Sequence, residues 1–245
     1  MKPIEFAQLK QFYRTPPMPC PYLPGRLERK LFTMLAGPDA SLLHESLSEV
    51  GFRRSHGIAY RPRCDSCNAC VAVRVRVTDF QPTRSMRRVL ARNAGISAQV
   101  GPTATKTDHF RLFQRYQIER HGDGGMARMD IVEYQAMIEE TAVDTFLVEY
   151  RDQRDELYAV CLSDRLRDGL SLVYSFFDPD AAAVSPGTYL IIWHIEEAKR
   201  LGLDYVYLGY WIADSPKMSY KGRFQPLEAY VAERWAPMRP SGSAV

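Results

Sequence analysis

"GTYLIIWHIEEAKRLGLDYVYLGYWI", residues 187–212, joins a helix pattern (187–202) directly to a strand pattern, "DYVYLGY" (204–210). The period of its apolar residues changes from that of a helix to that of a strand within a few positions. Toward the N-terminus lie three strand-like runs, "TFLVEYR" (145–151), "ELYAVCLSDRL" (156–166) and "LSLVYSFFD" (170–178). Two helical patterns, "KTDHFRLFQRYQIER" (106–120) and "DIVEYQAMIEET" (130–141), precede them, and an apolar stretch near "EAYVAERW" (228–235) closes the chain. Periodicity by itself supports a mixed α and β domain.

The order of these elements, two helices, a meander, one long helix, one strand and a tail, is that of an α+β acyl-CoA N-acyltransferase-like (GNAT-like) mixed-sheet domain. The connector "GISAQVGPTATKT" (95–107) is the expected boundary. It leaves residues 1–100 for a cysteine-rich N-terminal domain and 101–245 for the acyltransferase-like one.

In the first part, "DASLLHESLSEVG" (39–51) reads as a helix with Asp39 as N-cap, Leu42, Leu43, Leu47 and Val50 on one face, and Gly51 as the stop. "VAVRVRV" (71–77) alternates, with four valines on one face and Arg74 and Arg76 on an exposed cationic one. "TRSMRRVLARN" (83–93) is helical, with Arg84, Arg88 and Arg92 forming a ridge opposite Met86, Val89 and Leu90.

The chain of 245 residues is 46% hydrophobic and 25% charged, the composition of a globular protein. Its net charge of +3 conceals a local excess, because residues 51–95 hold ten Arg, no Lys and two Asp, or +8. Such a block marks a surface for phosphates, a solvated face being the alternative. "MKPIEFAQLK" has no apolar run of signal-peptide length, and nothing approaches a membrane span. A cytoplasmic protein is expected, in which clustered thiols are ligands or reactive groups before they are disulfides.

Three of the five cysteines, Cys64, Cys67 and Cys70, fall within seven residues. Zinc sites use paired Cys-x-x-Cys spacings, and iron–sulfur clusters use Cys-x-x-Cys-x-x-Cys runs with one more cysteine elsewhere; the second pattern fits better. Cys20, between prolines in "MPCPYLPG", is the first candidate for fourth ligand and His56 the second. Cys161, in the apolar run "YAVCLS", reads as a small buried residue.

"CPYLPGR", "YRPRCDSCNACVAVRV", "FQPTRSMRRVLARN", "YSFFDPD", the 187–212 stretch and "SPKMSYKGRFQP" together resemble the aminoacyl-tRNA–protein transferases of the N-degron pathway. The resemblance is greater to the bacterial aspartate/glutamate leucyltransferases, and it spans nearly the whole chain in order. It implies a cysteine-bound metal or cluster, an acetyltransferase-like C-terminal domain, and transfer of leucine from Leu-tRNA to proteins with N-terminal Asp or Glu, marking them for degradation. The chain departs from the eukaryotic arginyl branch, which has a Cys-x-x-Cys where this chain has Cys20 and Leu23, and adjacent cysteines where it has Ala69 and Cys70.

An acetyltransferase-like fold holds the coenzyme A pyrophosphate on a Gly-rich turn opening its central helix. The corresponding "AAAVSPGTYL" (181–190) has no run of glycines, so no coenzyme A donor is expected. Arg84, Arg88 and Arg92, with Arg74 and Arg76, are candidates for tRNA phosphates. Asp178 is the candidate proton acceptor, or else a turn residue before Pro179. Tyr174 and Tyr220 are candidate hydroxyls at the reacting groups, and Lys217, Lys221 and Arg223 are candidates for the acceptor carboxylate, with Arg53 or Arg54 as the alternative. Three rivals are an arginyl transferase, an RNA-binding module with a structural zinc knot, and a coenzyme A-dependent N-acetyltransferase.

Overall fold

The computed structural model describes residues 10–122 and 124–238. Strands β1 (Tyr13–Arg14), β2 (Met18–Pro19), β3 (Leu27–Glu28), β4 (Lys30–Met34), β5 (Arg53–Ser55) and β6 (Ile58–Pro62) come first, with helix α1 (Ala40–Glu49) between β4 and β5. They form a small antiparallel sheet of order β1-β4-β6-β5 and a β2-β3 ribbon. Asp39 sits at the N-cap of α1 as expected, and Gly51 follows the helix at φ +81.

The buried stripe of α1 differs from the expected one: it is Ala40, His44, Leu47 and Ser48, while Leu42 is 62% exposed. The reason is a buried charge. Asp164 accepts from Arg54 Nε and Nη2, both at 2.8 Å, and from Thr145 Oγ1 at 2.9 Å, and pairs with His44 Nε2 at 2.9 Å. That turns the polar His44 inward.

The remaining strands are β7 (Val71–Arg76), β8 (Ser97–Gly101), β9 (Thr145–Arg151), β10 (Leu157–Leu166), β11 (Gly169–Phe177), β12 (Tyr205–Trp211), β13 (Leu227–Val231) and β14 (Arg234–Met238). They make one eight-stranded sheet of order β14-β13-β7-β12-β11-β10-β9-β8. The stretch at 228–235 thus spans the turn of the β13–β14 hairpin, whose first strand pairs with β7. Strand β7 lies before the expected boundary near residue 100 and β8 runs across it, yet both belong to the same sheet as β9–β14.

Helices α2 (Arg84–Arg92), α3 (Thr107–His121), α4 (Ile131–Glu139), α5 (Pro186–Arg200) and the short α6 (Pro216–Ser219) complete the fold. Thr83 caps α2 by accepting from Met86 N at 3.3 Å, and Asp130 and Glu133 form a capping box on α4. Helices α3 and α4 set Phe113 and Tyr134 against Phe176 of β11, at ring separations of 5.5 and 6.2 Å. Helix α5 places His194 Nε2 2.9 Å from Ser163 Oγ of β10. Among the described residues no helix is long and apolar enough to cross a membrane. The expected α+β class and large mixed sheet are both present.

Candidate active site

The one parallel pairing of the large sheet positions the site. Strands β11 and β12 are in register only at Gly169–Ser171 against Tyr205–Tyr207 and then part. Each carries an extra residue where they separate: Val173 of β11 is passed over in the pairing with β10, and Leu208 of β12 in the pairing with β7. Such bulges bend a strand locally. Beyond Ser171 and Tyr207 the two strands share no ladder, which leaves an unpaired opening, or cleft, between Leu172–Phe177 and Leu208–Trp211.

Side chains from outside the two strands line it. Arg53 Nη2 donates to the carbonyls of Leu172, at 3.1 Å, and of Val173. Gly209 has φ +73, and a Cβ there would lie 2.6 Å from Arg53 Nη1, so glycine serves both the turn of the backbone and the room for the guanidinium. Lys221, a residue 6% exposed, donates from Nζ to Tyr210 O at 2.8 Å. Burial, helped by Arg53, holds its ammonium well below the usual lysine range. Tyr220 next to it is pushed up to about 12 by burial and Tyr116, against the pull of Arg53 and Arg120. Tyr174 Oη accepts from Gln117 Nε2, and burial raises its phenol as well.

The sequence-derived candidates fare differently. Tyr174 lies on the end of β11 left unpaired with β12, where it packs against Phe113 and Phe176, and Tyr220 and Lys221 lie in the 3₁₀ segment after α6, from which Lys221 reaches β12. Lys217 does not share a face with Lys221: it is exposed on α6, whereas Lys221 begins to turn inward in the 3₁₀ segment Tyr220–Arg223. Lys221 is therefore not a solvent-facing cation for an acceptor carboxylate. Arg223 is exposed, and neither it nor Lys217 has an ion-pair partner among the described residues. Arg54 is closed off by Asp164, and Arg53 by backbone carbonyls. Asp178 is the N-cap of the 3₁₀ turn Pro179–Val184, accepting from Asp180 N at 3.1 Å and from Arg115 at 2.9 Å, which is the turn role expected beside Pro179.

The arginine ridge is present. Arg84, Arg87 and Arg88 stand exposed on α2 without a carboxylate partner among the described residues, and Arg92, also exposed, reaches only Ala183 O at 3.3 Å. Arg74 must be corrected: it is 8% exposed, pairs with Glu228 at 2.9 Å and lies 3.4 Å from the Tyr205 ring centroid. The hairpin β13–β14, not anticipated from its sequence, brings Glu228 and Trp235 over what an isolated β7 would expose. Arg76 is bound to Asp79.

Cys20, Cys64, Cys67 and Cys70 all line one pocket with Tyr22, Glu28, Tyr60 and Tyr210. His56, on the β5–β6 turn, does not line it. Burial and the three other thiols push Cys70 up to about 12, while the Ala69 backbone N–H and Arg26, donating at 3.0 Å, lower Cys67. Arg29 N also approaches Cys64 Sγ at 3.5 Å. Among the described residues, no three His, Cys, Asp or Glu side chains converge closely enough to hold an ion as they stand. Four thiols around one pocket, with N–H groups aimed at sulfur, are nonetheless a donor set suited to a thiolate-bound zinc or iron–sulfur centre. Cys161 is buried as expected.

Sequence reasoning missed Gln117 and the clamp of His44, Arg54 and Asp164. Arg53, named only as an alternative carboxylate site, gave no sign of its carbonyl contacts, since these depend on strands more than a hundred residues away.

Two family models match: the N terminus of arginine-tRNA-protein transferase over residues 18–88 and its C terminus over residues 108–231. The chain is 54% identical over 233 residues to the aspartate/glutamate leucyltransferase of Paramagnetospirillum magneticum, covering 95% of this chain and 96% of that one. It is 55% identical over 227 residues to that of Gluconacetobacter diazotrophicus, covering 93% and 87%. Among solved structures, L-PGS from Bacillus licheniformis is a distant likeness, 13% identical with a TM-score of 0.45, covering 59% of this chain and 47% of that one. The chain belongs to the aminoacyl-tRNA–protein transferase family, in its aspartate/glutamate leucyltransferase branch.

Proposed function

We propose that this protein transfers leucine from Leu-tRNA to the α-amine of proteins beginning with Asp or Glu, with the peptide bond forming in the cleft between β11 and β12. The observation that carries the reaction is 54% identity, over 95% of the chain, to an aspartate/glutamate leucyltransferase. The chemistry is aminolysis of an ester. The amine nitrogen attacks the leucyl carbonyl and loses a proton, and the ribose oxygen of the tRNA leaves and gains one. The reaction runs downhill, so the protein's task is to hold a neutral amine against the ester.

Several residues support this reading. Arg84, Arg88 and Arg92 are exposed cations with no carboxylate partner among the described residues, suited to phosphate. Tyr174 and Tyr220 bring hydroxyls to the cleft, and Asp178 stands at the end of β11. Lys217 and Arg223 are the unpaired cations left for the acceptor carboxylate once Lys221 is buried. Cys20, Cys64, Cys67 and Cys70 would hold a metal centre that cross-links the N-terminal segment, its chemistry structural. The sheet, with its single parted parallel pair, is read as N-acyltransferase-like, and the protein is placed in the cytoplasm.

The test is to incubate the protein with a peptide beginning in Asp and either Leu-tRNA or Arg-tRNA, and to weigh the product. A leucine adduct dependent on Leu-tRNA is expected, and an arginine adduct or none would overturn the reading. Lys217→Ala and Arg223→Ala should raise KM for the Asp peptide and leave Leu-tRNA affinity unchanged; the reverse pattern would move these cations to the donor site.

A further inference from the structure

Where β11 and β12 part, six residues of β11 (172–177) and four of β12 (208–211) run beyond their shared register. Strands this close usually continue their ladder, because each stranded carbonyl that gains an amide partner is stabilised. Here carbonyls on both edges of the opening are met by cationic side chains instead. Arg53 takes Leu172 O and Val173 O, and Lys221 takes Tyr210 O. Drawing a lysine ammonium into an apolar surround is unfavourable, and burial lowers Lys221 well below the usual lysine range. The fold therefore accepts two bulges, a left-handed glycine and a buried lysine to keep these strands apart. An arrangement selected for stability alone would close the gap.

We infer that Arg53 and Lys221 are positioning residues that wedge β11 and β12 apart and thereby set the width of the cleft in which amine and ester meet. This rests on the proposal that the reaction runs in that cleft. The wedge acts through the strands: β11 carries Tyr174, and Lys221 is continuous with Tyr220, so a change of strand separation changes the distance between the two hydroxyls. Arg53 is suited to the task because one nitrogen, Nη2, meets both carbonyls of β11 while the rest of the rigid, planar guanidinium lies against Gly209 of β12, a flat spacer that a lysine ammonium does not supply. Its neighbour Arg54, held by Asp164, fixes the short strand from which it projects.

The test uses the full chain with Leu-tRNA and an Asp-initiated peptide, both saturating, in single-turnover format. Arg53→Lys and Lys221→Met are each expected to slow the transfer step by about 100-fold, the scale of a misplacement near 1 Å, with Leu-tRNA affinity within about twofold of wild type. Gly209→Ala supplies a second route, since its methyl meets the guanidinium without deleting any donor. Its effect on rate should be clearly smaller in an Arg53→Met background than in the wild type, the strain of a Cβ at φ +73 being common to both, and that coupling is one which a separate structural role of Gly209 would not produce. Far-UV circular dichroism and active-site titration express each rate per folded molecule. Rates per folded molecule near wild type in Arg53→Lys and Lys221→Met, or additive effects of Gly209→Ala and Arg53→Met, would overturn the inference. Absence of leucyl transfer by the wild-type protein would instead overturn the functional proposal, so the two failures are distinguishable.

Discussion

Asp164→Asn should be among the most damaging single substitutions in this protein although it lies away from the cleft. The carboxylate has no exposed surface and accepts four hydrogen bonds between 2.8 and 2.9 Å, two of them from Arg54, itself 2% exposed. The amide keeps the shape but leaves the guanidinium buried without its counter-charge, a defect worth about 3–5 kcal/mol. In a chain of this size that corresponds to a fall in Tm of roughly 10 °C. Replacing both partners, as Asp164→Leu with Arg54→Met, removes the buried charges together and should cost less than Asp164→Asn and Arg54→Met summed, the remaining loss coming from His44 and Thr145, which lose their acceptor. Urea unfolding followed by circular dichroism measures all three. Burial would raise the Asp164 carboxyl, but hydrogen bonds from His44 and Arg54 outweigh it and hold the group below the ordinary range. Its folded value is thus depressed: the contribution is present above the unfolded value and is lost as pH falls through the folded one. The acid limb of the stability curve should be flatter in Asp164→Asn than in wild type. A loss below about 1 kcal/mol for Asp164→Asn, or a double variant as unstable as the sum of its parts, would refute the account of the clamp.

A triple alanine variant at Arg84, Arg88 and Arg92 should reduce the salt dependence of tRNA binding by about one per lost phosphate contact, and an unchanged slope would leave α2 as a solvated face. Anaerobic purification with metal analysis should find one centre per chain, contributing on the order of 10 kcal/mol to the N-terminal segment; metal-free protein of undiminished stability with four alkylatable thiols would exclude it. Burial lowers His194 to about 4, so the folded protein resists a proton that the unfolded chain accepts from about 6.5 downward. Stability should fall by about 3 kcal/mol between those two values, and His194→Gln should remove that part of the slope; if it does not, another group is responsible. Asp178→Asn should cut the transfer rate with tRNA affinity intact if the carboxylate handles the amine proton, whereas normal single-turnover rates would confine it to its cap and its Arg115 pair.

What the sequence made legible follows from where each signal resides. The elements from Thr107 to Trp211 are long enough to show a period, and their helix and strand assignments agree with the structure to within a residue or two. The strands before Val71 are two to five residues long and owe their form to pairing rather than to pattern, so nothing local announced them. Charge counting failed in an instructive way. Ten arginines between residues 51 and 95 sum to a basic block, but a sum cannot tell that Arg54 is neutralised by Asp164, 110 positions on, or Arg74 by Glu228, 154 positions on. The part of the block that faces solvent as free charge is chiefly the helix whose own period had already displayed it. Lys217 and Lys221 illustrate the same limit at short range, because the four-residue spacing shares a face only in a continuous α-helix, and here α6 ends at Ser219. The most consequential hidden element is β5. Its two adjacent arginines project to opposite sides, as any strand requires, so that Arg54 meets β10 and Arg53 meets β11. Three residues with no periodic signal thus fasten the N-terminal segment to the large sheet and reach the cleft in the same stroke. Damage to the clamp should therefore appear in the rate of transfer as well as in stability.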